Sequence, residues 1–183
     1  MKFSLITLLY FAFSAASEVK VDAHKDADLV KIDAQFSVAV SKEQAWQVMV
    51  DFEHMPQFLP QLQSSHILSQ NGDHLRVAQV ISVPLSLFNY DYESMRDIDL
   101  KPYSEIRATS VGGRDAYMSI AQLKVSAAQT VISYHAEWQP ESNVLASFAL
   151  DTMRSQIRQQ FMAMQQEMFK RQQHAAASSS QTH

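Results

Sequence analysis

The chain has 183 residues, of which 46% are hydrophobic and 19% charged, so it carries enough apolar material for one folded domain. Its net charge of −4 offers no basic excess for a nucleic acid, and its lack of cysteine excludes disulfides, thiolate nucleophiles and cysteine-bound metals. Three glycines, at positions 72, 112 and 113, cannot supply the spacing of a P-loop, a dinucleotide fingerprint or a nucleophile elbow.

The first 17 residues have the pattern of a secretory signal peptide. Lys2 precedes an apolar run, and the small residues Ser14–Ser17 follow it. The run is about 11 residues long, short of the roughly 20 that a membrane-spanning helix needs. We therefore expect cleavage near Ala16 or Ser17 and a periplasmic or secreted mature protein. That protein would have no stable membrane span, although transient membrane contact stays open.

The next elements are a strand and two short helices. Apolar and polar residues alternate from Val30 to Val40, which predicts a strand with one solvent-exposed face. Ser41 and Gln44 form a capping box at the start of a helix. Because proline cannot donate the amide hydrogen that a continuing helix needs, Pro56 interrupts it. Residues 18–27, ahead of the strand, are predicted to be flexible.

Residues 63–138 fit six further strands divided by turn residues. In the clearest of them, large side chains alternate with an acidic row that must face solvent. The inward row consists of Phe88, Tyr90, Tyr92, Ser94, Arg96, Ile98 and Leu100. In the last strand the inward residues are Ile132, Tyr134, Ala136 and Trp138. Together with the first strand this predicts a sheet of about seven strands with a single apolar face.

After Pro140 the pattern becomes helical. Apolar residues recur every three or four positions, at Leu150, Met153, Ile157, Phe161, Met164 and Met168. The sequence predicts a helix of about 28 residues that covers the apolar face of the sheet. The folded domain would span residues 28–172, and residues 173–183 would be a disordered tail. The expected fold class is α+β, a curved antiparallel sheet with a long C-terminal helix over its concave face.

This order of elements resembles the START/SRPBCC superfamily, the pollen-allergen-like helix-grip proteins. The local match is the segment Ser41–Pro60, similar to the helix pair of the coenzyme-Q-binding and polyketide-cyclase-like branch. Shorter matches are Val111–Gly113 and Thr130–Tyr134, whereas the leader and Arg114–Tyr117 depart from the pattern. The resemblance implies a hydrophobic cavity between sheet and C-terminal helix, which in this family holds lipids, quinones, polyketides or sterols. It does not choose between a carrier and a cyclase.

Several inward-facing residues are candidates for contact with a ligand. Tyr90, Tyr92, Tyr117, Tyr134 and Trp138 have polar tips that could orient a bound molecule, or they could fill the core. Arg96 is the sharpest candidate, because an unpaired guanidinium is costly to bury. It could bind a carboxylate or carbonyl oxygen of a ligand, pair with a buried acid, or reach the rim.

Four more candidates complete the predicted binding set. Met153 and Ile157 belong to the apolar stripe of the C-terminal helix, which could contact a ligand or pack the core. Gln79 could orient a ligand carbonyl or bond to its neighbours, and Phe58 could lie at the cavity mouth or plug it. The seven histidines have no metal-ligand spacing, so we predict no metal site, no catalytic residue and no cofactor.

The leading hypothesis is an exported protein that binds or carries a hydrophobic small molecule without a catalysed reaction. The enzyme alternative is a polyketide cyclase or aromatase, whose cavity would fold a polyketide chain. A third alternative is a protein-interaction module with no ligand. A sheltered space between sheet and C-terminal helix would keep the first two hypotheses open.

Overall fold

The structure is a computed structural model that describes residues 17–85, 88–112, 116–139 and 143–180. The leader predicted over residues 1–17 lies outside these residues, apart from Ser17. The predicted α+β class is confirmed: one antiparallel sheet packs against two short helices and a long C-terminal helix. No helix in the described part of the chain has an apolar stretch sufficient to span a membrane.

The sheet has eight strands in the order β1-β2-β8-β7-β6-β5-β4-β3. The elements in chain order are β1 (Lys20–Asp26), β2 (Leu29–Val38), α1 (Lys42–Met49), a 3₁₀-helix (Phe52–Gln57), β3 (Leu62–Asn71), β4 (His74–Leu85), β5 (Phe88–Lys101), β6 (Glu105–Ser110), β7 (Ala116–Ser126), β8 (Gln129–Gln139) and α2 (Asn143–Ser180). All neighbouring strands pair antiparallel, and β1 and β3 form the two edges.

The eighth strand is β1, which occupies most of the segment 18–27 that we predicted to be flexible. Its period-two pattern is weak because it turns just two apolar side chains, Val21 and Ala23, away from solvent. Pairing with β2 along its whole length orders it instead. On its other side, Arg154 of α2 donates a hydrogen bond to the Ala23 carbonyl oxygen at 2.8 Å. This edge strand is therefore held both by its pairing with β2 and by a side chain of α2.

The two short helices form as predicted. Ser41 caps α1, its hydroxyl oxygen accepting from the Gln44 backbone N–H at 3.2 Å while the Gln44 side chain accepts from the Ser41 N–H at 3.1 Å. The 3₁₀-helix follows and contains Pro56. Both helices bury apolar residues in the core, which fixes the chain between β2 and β3.

α2 has 38 residues, about 57 Å at 1.5 Å per residue, and is longer than the predicted 28. It continues to Ser180, past residue 172 where we predicted the domain to end. The segment 173–180 lacks apolar residues larger than alanine, but alanine is the strongest helix former and continues the helix without a packed face. Ser178 also donates its hydroxyl to the His174 carbonyl oxygen at 2.7 Å.

One cross-strand row on the inner face of the sheet is buried from β4 to β1. In order across the strands it consists of Leu75, Ile98, Ala108, Ser119, Ala136, Ile32 and Ala23. Phe161, Met164 and Met168 of α2 are buried in the core of the same face. α2 therefore covers the apolar face, as the sequence predicts, and this row separates a packed end of the inner face from a more exposed one.

Candidate ligand-binding site

The next cross-strand row brings three of the predicted binding residues to one end of the inner face. Arg96 of β5 pairs with Ser110 of β6, whose hydroxyl oxygen accepts the backbone N–H of Tyr117 on β7 at 3.1 Å. Tyr117 in turn pairs with Trp138 of β8. Because directly paired residues point to the same face of a sheet, these side chains share the space below α2.

Arg96 is half-buried and has no acidic partner. Its Nε donates to the Ser94 hydroxyl at 3.0 Å, and its guanidinium carbon lies 4.7 Å from the centre of the Tyr117 ring. No carboxylate among the described residues is within ion-pair distance of it. In the same part of the chain every buried polar side-chain atom has a hydrogen-bond partner, so a terminal N–H group of Arg96 without one is in contact with solvent.

The two tyrosines of this end form a hydroxyl pair. The Tyr117 hydroxyl is hydrogen-bonded to the hydroxyl of Tyr134 on β8. Burial raises the pKa of Tyr134 well above its usual value of 10.0, and the neighbouring Tyr117 raises it further, against weaker opposite effects of Arg96 and Ser119. Tyr134 therefore stays protonated at neutral pH. We call Arg96, Tyr117 and Tyr134 the Arg–Tyr cluster.

Apolar side chains from the helix and the sheet border the Arg–Tyr cluster. Trp138, Met153 and Ile157, together with Leu150, pack against a small buried group, as do Tyr117 and Tyr134. That group consists of Ala23, Val30, Ile32 and Ala136. Six of the ten predicted binding residues, Arg96, Tyr117, Tyr134, Trp138, Met153 and Ile157, thus lie in one neighbourhood. Whether they bind a ligand stays a prediction.

The inward residues of β5 become more exposed toward this end of the sheet. From the packed end, the paired residues of β4 and β5 are Leu75–Ile98, Val77–Arg96, Gln79–Ser94 and Ile81–Tyr92. On β5 the inward residues are less buried from Ile98 through Arg96 and Ser94 to Tyr92, which is 37% exposed, whereas on β4 Val77 is 1% exposed and Gln79 and Ile81 are partly exposed. A covered hydrophobic core would show the opposite trend along an inward row.

α2 shows the same gradient. Phe161 is 1% exposed and packs against Phe36 and Tyr134, with ring centres 5.3 Å and 5.1 Å apart. Ile157 and Met153, about one and two turns closer to the N-terminus, are partly exposed although they point to the sheet. The interior is therefore filled below the C-terminal half of α2 and accessible below its N-terminal half. We call this accessible part the open half.

The other predicted residues either lie away from the Arg–Tyr cluster or fall outside the part of the chain that the structure describes. Gln79 donates to the Ser65 hydroxyl at 3.1 Å beside the 3₁₀-helix, so it bonds to its neighbours. Phe58 is half-buried, and its ring centre lies 5.7 Å from the guanidinium carbon of Arg171, at the C-terminal half of α2. The side chain of Tyr90, and Arg114 and Asp115 of the divergent segment, lie outside the described residues.

Three serines and one phenylalanine complete the site, and sequence reasoning did not single them out. Ser94, Ser110 and Ser119 surround the Arg–Tyr cluster with hydroxyls, and Phe161 closes it on the deep side. The signal for the serines was present, since Ser94 lies in the inward row where an apolar residue is expected. A small polar residue at an inward position suggests a neighbouring polar group that needs a partner.

Two cavities that are lined by described residues lie away from the open half. A groove of about 610 Å³ crosses the outer face of β1, β2, β8 and β7, where Asp33 and His135 are ion-paired at 2.8 Å. A second, of about 520 Å³, lies at the start of α1 beside Val125 and Gln172. The partial exposure of Met153 and Ile157 makes the open half a cleft between sheet and α2.

Residues 38–165 match the family model described as polyketide cyclase/dehydrase and lipid transport. No curated protein sequence matches the chain. The matched region runs from the end of β2 to the middle of α2, and it contains every strand of the Arg–Tyr cluster. β1 and most of β2 precede it.

Solved structures share the fold at low sequence identity. A STAR-related lipid transfer protein from Xanthomonas axonopodis is 13% identical, with a TM-score of 0.63 over 81% of this chain and 98% of that one. The Zhui aromatase/cyclase from Streptomyces sp. R1128 is 14% identical, with a TM-score of 0.62 over 78% and 95%. Human STARD10 is 13% identical, with a TM-score of 0.59 over 87% and 78%. The likeness includes a lipid transfer protein and a cyclase, and it does not decide between them.

Proposed function

Because the chain belongs to the polyketide cyclase/dehydrase and lipid transport family, we propose that it binds a hydrophobic small molecule in the open half, below the N-terminal half of α2. The ligand would be a lipid, a quinone-like or a polyketide-like compound. The observation that carries this proposal is the half-buried Arg96, which has no acidic partner among the described residues and lies beside apolar side chains that are themselves partly exposed.

A ligand would gain binding free energy by covering apolar surface of the cleft. Trp138, Met153 and Ile157 turn apolar area toward the cleft, and burying such area is worth roughly 25 cal/mol per Å². Polar groups are few and convergent, which is the usual composition of a small-molecule site. The Arg–Tyr cluster would hold the polar end of the ligand, and the α2 side chains its apolar part.

Binding without catalysis fits the chemistry of the cluster better than a cyclase reaction. A cyclase needs a group that moves a proton at neutral pH, usually a histidine or a carboxylate. The described inward residues of the rows through Arg96, Tyr117 and Tyr134 include neither. Because burial raises its pKa, Tyr134 stays protonated and supplies no phenolate to act as a base at neutral pH. We therefore favour a carrier or binding protein over an enzyme.

We further propose that the protein is exported and acts in the periplasm or outside the cell. The support is the sequence pattern of residues 1–17. Expression of the full chain in a bacterium, followed by fractionation and intact-mass measurement, tests this directly. Export predicts a periplasmic or secreted species shortened near Ala16 or Ser17, blocked by Leu8→Arg in the apolar run. A full-length cytoplasmic product from the unaltered chain would contradict the proposal.

Binding is tested with Nile red, a neutral apolar dye whose fluorescence rises in apolar sites. We expect saturable binding with one dye per chain. Ile157→Trp, which fills the open half, should weaken it by about tenfold, the cost of displacing one side-chain-sized part of the ligand. Met162→Trp is the matched control, because Met162 lies on the same helix and is 44% exposed.

Thermal unfolding of both variants confirms that they are folded. Absence of saturable binding, or equal loss in both variants, would overturn the proposed function and favour a protein-interaction module.

A further inference from the structure

Arg96 is the single charged side chain that the described residues place on the inner face of strands β4 to β8. The other inward positions of these strands are apolar, aromatic, hydroxyl-bearing or amide side chains. The charged residues of the same strands alternate onto the outer face, where they pair with one another, as Arg76 does with Asp97. The inner face therefore has a net positive charge from one residue.

The contacts of Arg96 leave its terminal amino groups available. Nε donates to the Ser94 hydroxyl, and the guanidinium carbon lies 4.7 Å from the centre of the Tyr117 ring, which occupies one side of the group. A ligand must approach in the plane or from the uncovered face. Two terminal amino groups side by side form the end-on fork that binds both oxygens of a planar carboxylate.

Hydrogen-bond donors lie near Arg96, and the described inward side chains of β4 to β8 add no second charge. The hydroxyls of Tyr117 and Tyr134 lie on the same side of α2 as Arg96, and Tyr134 keeps its proton at neutral pH. A cationic head group would meet an uncompensated positive charge here. A doubly charged phosphate would leave one negative charge unpaired in a half-buried site, which is costly.

We infer that the bound molecule carries a single carboxylate, held end-on by Arg96, with its apolar chain along Trp138, Met153 and Ile157. This inference rests on the proposed function, because it assigns the head group of the ligand that the open half accepts. It makes the protein a receptor for monoanionic amphiphiles of the fatty-acid type. Neutral alcohols and esters of the same chain would be poorer ligands.

The experiment compares molecules that differ in the head group alone. Dodecanoate, dodecanol and methyl dodecanoate, each below its aggregation limit, compete against Nile red on the full folded chain at pH 7.5. We expect dodecanoate to bind at least about tenfold more tightly than the other two, as for a charge-assisted hydrogen bond in a partly buried site. Arg96→Met should abolish that ratio while dodecanol binding persists.

Two further variants separate the head-group assignment from general effects. Arg96→Lys keeps the charge but loses the fork, so the ratio should fall without vanishing. Arg107→Met removes an exposed arginine of the outer face and should leave the ratio unchanged.

Equal affinity for the three molecules in the unaltered protein, or a ratio unchanged by Arg96→Met, would overturn the carboxylate assignment and leave the proposed function intact. Failure of all three to displace the dye, or of the dye itself to bind, would overturn the proposed function as well.

Discussion

The guanidinium carbon of Arg96 lies 4.7 Å from the centre of the Tyr117 ring, although the two residues belong to strands separated by β6. A cation over an aromatic ring is stabilised by roughly 0.5–2 kcal/mol, depending on its exposure. The ring also restricts a long side chain that would otherwise have many conformers. Tyr117 is therefore a positioning residue, which holds the arginine ready before any ligand arrives.

This relationship predicts different results for two substitutions of Tyr117. Tyr117→Phe keeps the ring below the guanidinium and should retain the preference for dodecanoate over dodecanol. Tyr117→Leu removes the ring and should reduce that preference severalfold, while dodecanol affinity changes little. Competition binding measures both ratios. An equal loss in Tyr117→Phe and Tyr117→Leu would show that the hydroxyl, and not the ring, positions the arginine.

Tyr134 makes stability depend on alkaline pH. Burial and the neighbouring Tyr117 raise its pKa in the folded protein well above the usual 10.0, so above pH 10 the unfolded chain releases a proton that the folded chain retains. Stability is therefore unaffected by this group below pH 10 and falls as the pH rises beyond it. Urea unfolding at pH 8 to 11 should show the fall, reduced in Tyr134→Phe. An equal fall in Tyr134→Phe would contradict the assignment.

Gln165 ties the N-terminal segment to α2. Its side chain is 4% exposed and donates to the carbonyl oxygens of Ser17 at 3.1 Å and Ser37 at 3.0 Å. Gln165→Leu leaves the Ser37 carbonyl without this donor, and the Ser17 carbonyl as well in a chain that keeps Ser17, so it should lower the free energy of unfolding by about 1–3 kcal/mol. Gln166→Leu, one residue on and exposed, is the matched control. Equal effects of the two variants in urea unfolding would contradict a specific role of Gln165.

The turn between β7 and β8 is strained. Ala127 and Ala128 have φ angles of 48° and 63°, in the left-handed region where a Cβ atom costs about 1 kcal/mol or more per residue. Asn-Gly is the pair that favours such a two-residue hairpin turn. Replacing both alanines with Asn-Gly should raise the free energy of unfolding by about 1 kcal/mol. A decrease in chemical denaturation would show that the alanines adopt another turn.

Much of the fold follows from patterns that burial on one side imposes. β2, β5 and β8 each have one wet and one dry face, so alternate residues identify them. The sequence pattern did not predict β1, because this strand is stabilised by pairing with β2 and by the contact of Arg154 with Ala23. Neither contact produces a period in the local sequence. The end of α2 escaped it because no glycine or proline marks where the helix stops.

The sequence predicts which residues face the site but not which of them contact one another. Alternation along β8 places Tyr134 and Trp138 on the inner face of the sheet. The helical repeat places Met153 and Ile157 on the face of α2 that covers it, which explains why these side chains meet. The contact of Arg96 with Tyr117 depends on the register of β5, β6 and β7, and turn geometry sets that register. Alternation gives the face of a residue and leaves its partner on a distant strand undetermined.

The most direct test of ligand binding in the open half uses the nine methionines of the chain as reporters. With methyl-¹³C-methionine, a titration with dodecanoate followed by NMR observes each methyl group. If dodecanoate binds in the open half, the Met153 resonance shifts saturably. The resonances of Met95 and Met118, which occupy outward positions of β5 and β7, stay unchanged. Shifts at Met95 or Met118 with Met153 unmoved would place the ligand on the outer face and contradict the account.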